Sequence, residues 1–376
     1  MTSQVNNMGR PDIKRIVVDP LFKDAALPIE VAEKLSLKPE YMSKDELVED
    51  VRLNCGKDLF TTAKKILFFT ENKGKFLKKC PGSRGVICCD YYTINSVTGC
   101  PYDCSYCILQ HYIENNPFIT VFLNREKAID EIIEFLEDHK KIRVGTGELA
   151  DSLALDHLID DSGFFLKAFE ENNLQDRIQF EFKTKSAEIE NLIEKYRRHS
   201  SVDTIAAYSV NFSDFQRNEE PLTATMDERI SSMKRLMEEG VKISIHFDPV
   251  VMLDHLFDKY METIDNIFSA LDRSKIVWIS MGGFRHTLSL TSTIQERWPG
   301  SLLLQGEMFP SETDNKLRYL ASTRRRFYKS FIEKISGYFN GEPPLYMCME
   351  KSFIWKDMKM PLIKAVFPDG KNCLSK

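Results

Sequence analysis

Three cysteines spaced C-x3-C-x2-C, within Gly99-Cys100-Pro101-Tyr102-Asp103-Cys104-Ser105-Tyr106-Cys107, are the residues of this chain best suited to metal chemistry. Cysteine thiolates at short loop spacings hold iron–sulfur clusters. Three of them, Cys100, Cys104 and Cys107, can ligate three irons of a four-iron cube and leave the fourth open to chelate a small molecule. A closed zinc site normally takes four ligands. The nearest extra candidates, Cys88, Cys89 and His111, do not complete a pair-of-pairs pattern. A disulfide or plain buried thiols are further alternatives and fit the spacing less well. Nine cysteines with no apolar leader after Met1-Thr2-Ser3-Gln4 point to a reducing compartment.

A loop of this kind needs a rigid frame. From Val86 onward the sequence offers short strand-like apolar runs at Ile142–Gly145, Ile178–Lys183, Thr204–Val210, Lys242–Phe247, Ile276–Met281 and Leu302–Leu304. Helix-period segments lie between them at Arg125–His139, Gly163–Glu171, Ala187–Arg198, Asp227–Glu239, Tyr260–Leu271 and Leu290–Trp298. Strand–helix alternation implies a parallel sheet with right-handed crossovers. About six units are too few for a closed eight-fold barrel. The expected fold is therefore α/β: a partial, open β/α barrel of the TIM type with an N-terminal helical extension. The expected organisation is a helical cap over 1–85, built on Pro28–Leu37 and Ser43–Leu53, the barrel over 86–340, and a C-terminal extension over 341–376.

The residues leaving these strands are polar: Gly145-Thr146-Gly147-Glu148, Lys183-Thr184-Lys185-Ser186, Ser209 and Asn211, His246-Phe247-Asp248-Pro249, and Gly282-Gly283. Singly each reads as a turn or cap; together they would surround a barrel mouth. His246 by itself reads as a satisfied core histidine more readily than as an acid–base group. The net charge of -5 over 376 residues argues against nucleic-acid binding by global electrostatics. One dense basic cluster, Arg324-Arg325-Arg326 with Lys316, Arg318 and Lys329, reads either as a solvated helix face or as a local phosphate groove beside Tyr319. No stretch approaches the roughly 18 apolar residues that span a bilayer, so a cytoplasmic protein with no membrane partner is expected.

The string Cys100-Pro101-Tyr102-Asp103-Cys104-Ser105-Tyr106-Cys107-Ile108-Leu109-Gln110 resembles the radical S-adenosylmethionine superfamily, and within it the spore photoproduct lyase branch. Asp151-Ser152-Leu153-Ala154-Leu155-Asp156-His157, Thr184-Lys185, Ser209-Val210-Asn211, His246-Phe247-Asp248-Pro249 and Lys316-Leu317-Arg318-Tyr319 extend the likeness over roughly residues 80–350. The resemblance implies a [4Fe-4S] cluster on Cys100, Cys104 and Cys107, with S-adenosylmethionine on the free iron. Reductive cleavage would then give a 5'-deoxyadenosyl radical that abstracts hydrogen from a damaged pyrimidine or related substrate. It also implies a one-electron donor of the flavodoxin or ferredoxin type and DNA as a partner. Lys185 and Ser209 become contacts to S-adenosylmethionine, the lysine to its carboxylate, and Glu148 a carboxylate for its ammonium group.

Two positions depart from that branch. Its hydrogen-donor cysteine falls on Glu148, whose O–H bond is too strong for the role, and the tyrosine after the third cluster cysteine is Ile108, with Tyr106 remaining as a catalytic candidate. Either the donor has moved, to Cys88, Cys89 or Cys348, of which Cys348 is the assigned catalytic candidate, or the substrate differs. A radical enzyme acting on a peptide or small metabolite, and a non-catalytic iron–sulfur module, stay open at this stage.

Overall fold

The computed structural model describes residues 11–54, 59–83, 85–87, 89, 91–112 and 116–360. Cys88 lies outside the described residues. In chain order the strands are β1 (Arg15–Val18), β2 (Pro39–Tyr41), β3 (Ile66–Thr70), β4 (Leu77–Lys79), β5 (Tyr92–Ile94), β6 (Val97–Thr98), β7 (Ile119–Phe122), β8 (Ile142–Gly145), β9 (Ile178–Thr184), β10 (Asp203–Ser209), β11 (Lys242–Val250), β12 (Ile276–Gly283), β13 (Arg285–His286), β14 (Phe309–Pro310), β15 (Leu317–Arg318) and β16 (Leu345–Met347).

The main sheet runs β16-β12-β11-β10-β9-β8-β5-β4. Its pairs are parallel except for β4 against β5. It curls into an open half-barrel, and residues next to β5 and β16, from opposite sides of the sheet, line one cavity. Alternation along β9 shows how the two faces divide. Phe180 packs its ring against Phe165 and Phe169 of the helix Asp161–Glu171 and against Phe182. Glu181 and Lys183 occupy the alternate positions, toward the lumen, where Lys183 lines the cavity. The helix Met226–Glu238 starts at a defined signal, Thr225, whose side chain accepts from the Glu228 amide while the Glu228 carboxylate accepts from the Thr225 amide in a capping box.

Several expectations need correction. The N-terminal segment has the helices Ala26–Leu35 and Lys44–Asn54, but it is not a helical cap. Its strands β1, β2 and β3 join β7 and β6 in a second sheet, β2-β1-β3-β7-β6. The run Ile66–Phe69 is buried between two cores. Sheet membership also crosses residue 85, since β4 belongs to the barrel while β6 and β7 belong to the N-terminal sheet. The segment after 340 supplies β16, the barrel's last strand, and so is not a separate extension. Leu302–Leu304 forms a 3-10 turn because the Ser301 hydroxyl accepts from the Leu303 amide and Glu219 accepts from that of Leu302. Among the described residues no helix is long and apolar enough to cross a membrane.

Candidate active site at the barrel mouth

The chain turns out of β6 through Gly99, at φ 95, where a Cβ would lie 3.0 Å from the Ile119 Cα. Only glycine meets both demands. The three thiols that follow gather with Tyr102, Tyr106 and Ala154 in one packed group. Their charges act on one another, Cys104 sensing both Cys107 and Cys100. Among the described residues no three Cys, His, Asp or Glu side chains close around one metal ion. A cube asks for something else, thiolates that each reach a separate iron. Burial pushes the Cys100 thiol up to about 12 and that of Cys104 well above its ordinary value, so loading with iron must displace protons. Three clustered thiols in one loop fit a [4Fe-4S] group with one open iron.

Side chains near and far in sequence fix this loop. Gln110 Nε2 donates to the carbonyls of Ser105 at 2.9 Å and Cys107 at 3.2 Å. The Asp103 carboxylate is clamped by Lys64 Nζ at 3.1 Å and Arg297 Nη2 at 3.1 Å, and Lys64 also donates to the Tyr102 carbonyl. Ser105 donates to Glu219, and the Tyr106 hydroxyl to Glu220. Glu220 pairs with buried Arg229 at 2.6 Å, and Arg229 Nη1 donates to the Ser209 carbonyl at 2.8 Å. Tyr106, Glu220, Arg229 and Ser209 thus form one continuous chain of contacts.

The expected cofactor contacts lie at three adjacent strand ends. The Lys185 amide donates to Asp151 at 2.7 Å. Asp151 also accepts from Leu153, Ala154 and Thr184, and its burial raises its pKa. The Lys185 ammonium sits 5.7 Å from the Tyr106 ring centre. Burial alone would lower its pKa, but Glu220 and Cys104 reverse that, and the group is held charged beside the cluster thiols. Glu148, just past β8, accepts from Thr93 Oγ1 at 2.8 Å. Gly147 brings backbone to the site, since a Cβ there would lie 2.4 Å from that of Lys183.

Ser209 connects this cofactor side to a cavity of about 150 Å³ whose wall also carries Cys80, Cys89, Tyr91, Lys183, His246, Asp248 and Cys348. Beneath it, Arg143 pairs with Glu181 at 2.7 Å. His246 has both ring nitrogens engaged, Nε2 at 3.1 Å from Glu181 and from Ser244, and Nδ1 at 2.6 Å from Ser280. Burial lowers its pKa. Asp248 is bridged by Arg285 at 3.2 Å through each oxygen. The Cys348 thiol lies 4.0 Å from Arg285 Nη2, and burial raises it to about 12. The structure therefore brings Ser209 and Cys348 to one cavity and Lys185 and Tyr106 to the cluster loop. Tyr106 does not line that cavity.

The basic cluster is not a free groove. Arg324 is buried against Glu350 at 3.0 Å, Arg318 pairs with Asp314 at 2.6 Å, and Tyr319 is buried. Arg325 pairs with Asp357 and Arg326 with Asp254. Sequence reasoning missed Lys64, Glu220, Arg229 and Arg297, which bear on the cluster loop from far along the chain. No local signal marks them. Asp151 stood in a quoted motif, and its four accepted bonds explain its place there.

The family model described as spore photoproduct lyase matches residues 55–325. The spore photoproduct lyase of Clostridium acetobutylicum is 24% identical over 256 residues, covering 66% of this chain and 74% of that protein. That of Bacillus subtilis is 23% identical over 216 residues, covering 56% and 61%. A solved spore photoproduct lyase complexed with dinucleoside spore photoproduct superposes with a TM-score of 0.78 at 19% identity, over 90% of this chain and 100% of that one. A mutant with bound AdoMet and the same dinucleoside gives 0.77 at 19%, over 91% and 100%. With its cluster loop and strand ends inside the matched 55–325, the chain belongs to the spore photoproduct lyase family, a radical S-adenosylmethionine enzyme whose cofactors are a [4Fe-4S] cluster and S-adenosylmethionine.

Proposed function

We propose that this enzyme reverses a cross-linked pyrimidine lesion of DNA, holding the lesion in the cavity between Ser209 and Cys348. One observation carries the reading: the cavity joins a strand end on the cofactor side to the thiols of Cys348 and Cys89. The relatives' structures hold dinucleoside spore photoproduct, which gives the substrate class.

When bound, the cluster and S-adenosylmethionine supply a 5'-deoxyadenosyl radical. Cys100, Cys104 and Cys107 hold the irons, Lys185 takes the carboxylate of S-adenosylmethionine, Glu148 its ammonium group, and Ser209 orients it. Tyr106 acts as a positioning residue, because its hydroxyl is committed to Glu220. Cys348 replaces the donor lost at Glu148. The carbon radical left after lesion cleavage takes the hydrogen atom of the Cys348 S–H, so a C–H bond forms and an S–H bond breaks. A pKa of about 12 keeps that hydrogen on sulfur. The thiyl radical then returns to thiol by one electron, from a donor of the flavodoxin or ferredoxin type, and one proton. We infer a reducing cytoplasm as the setting, where such thiols stay reduced.

The test is anaerobic turnover of dinucleoside spore photoproduct with dithionite and S-adenosylmethionine. Wild type should release the repaired dinucleoside. Cys348→Ala should still form 5'-deoxyadenosine but divert the product to unrepaired adducts. Formation of 5'-deoxyadenosine with no change in the lesion would overturn the substrate, and full repair by Cys348→Ala would move the donor role to Cys89.

A further inference from the structure

Lys183 stands out among the charged groups around the cavity because its neighbours are already paired. Arg143 is matched by Glu181 and Arg285 by Asp248, while His246 is engaged by Glu181, Ser244 and Ser280. Lys183 lines the cavity too. Its ammonium lies 3.8 Å from the centre of the Tyr91 ring, and among the described residues it has no hydrogen-bonded acceptor. The Tyr91 hydroxyl next to it is buried and likewise unbonded among the described residues. That hydroxyl is turned into the protein beside Gly145, while Lys183 and Tyr91 both line a space of about 150 Å³. That is room for about five waters at the ~30 Å³ each occupies in the liquid, or for one planar base.

Such a wall constrains what can fill the space. A ligand that expels water from around an ammonium must return an acceptor or lose the cost of stripping it. An apolar guest is therefore rejected, and a ring with outward carbonyl oxygens is accepted. Gly147 makes this placement feasible, since any side chain there would collide with Lys183.

Building on the proposed function, we propose that Lys183 is the residue that anchors the substrate, donating from its ammonium to a carbonyl oxygen of the lesion's pyrimidine ring. The face of the Tyr91 ring, its centre 3.8 Å away, supports the cation. This assigns Lys183 to the substrate and Lys185, two residues on, to the cofactor.

The experiment measures binding of dinucleoside spore photoproduct, which carries no phosphate, to the iron-loaded enzyme with S-adenosylmethionine and no reductant. Lys183→Met should weaken binding by about 10- to 100-fold, the range for a hydrogen bond to a charged group. Lys183→Arg should keep most of the affinity, and both variants should match wild type in iron content and in S-adenosylmethionine affinity. A Met variant that binds the dinucleoside as tightly as wild type overturns the proposal. So does one whose loss shows only with the phosphate-bridged dinucleotide, which assigns Lys183 to the backbone phosphate, or one that loses S-adenosylmethionine affinity. If wild type binds neither probe while still cleaving S-adenosylmethionine, the substrate reading itself fails, and this assignment falls with it.

Discussion

The cluster loop and the cavity beside it are built on opposite terms. In the loop, polar side chains are committed: Asp103 to Lys64 and Arg297, Ser105 to Glu219, Tyr106 to Glu220. In the cavity, the Lys183 ammonium has no hydrogen-bonded acceptor among the described residues and is left for a guest. A cofactor that stays bound can be held by a saturated network. A substrate that comes and goes needs unsaturated donors, because specificity arises where a buried group is left unpaired by the wrong ligand.

The sharpest way to break this contrast is Cys104→Ala. It should drop iron content and reduce 5'-deoxyadenosine to background, whereas Cys348→Ala keeps both; equal losses in the two variants would erase the division. Next in size is Arg143→Met under the cavity floor. It leaves Glu181, fully buried, without its guanidinium, and urea unfolding should show a loss of about 3–5 kcal/mol. Burial alone would raise the Glu181 pKa, and Arg143 with Lys183 reverses this to well below the usual 4.5. The folded value is the lower one, so this stabilisation is complete above about pH 4.5 and fades as pH falls through the folded pKa. In Arg143→Met the loss should begin at higher pH. An unchanged acid limb would show that Arg143 does not control Glu181. Smallest is the double change Arg325→Ala and Arg326→Ala, on exposed pairs with Asp357 and Asp254. It should cost about 0–1 kcal/mol for each pair and leave the salt dependence of DNA binding unchanged. A slope reduced by about 0.9 per arginine would restore the groove that the pairing argues against.

The same contrast runs through what the sequence made legible. The three cysteines could be singled out because they sit within one short string, and the strands β8 to β12 because their apolar runs are long enough to show a period. The clamp could not be read, since Tyr106 and Glu220 are 114 residues apart and Asp103 and Arg297 are 194 apart. The N-terminal sheet was missed because β1 and β2 are four and three residues long beside charged helices. The triplet Leu302–Leu304 misled because its apolar side chains say nothing of the Ser301 and Glu219 acceptors that bend it. The arginine cluster left two readings open for a related reason, its acidic partners Glu350, Asp357 and Asp254 being remote in sequence.

The grip of Arg297 on Asp103 also sets an order of events during synthesis. The cysteines leave the ribosome long before their clamp: the 194 residues between Asp103 and Arg297 take roughly 10–40 s to add at 5–20 residues per second. Until then the loop has Lys64 but not the later arginine, and the Glu220–Arg229 pair forms only partway through. The cysteine loop is thus fully clamped only late, and a chain truncated before Arg297 would present the whole cysteine motif with Asp103 held by Lys64 alone.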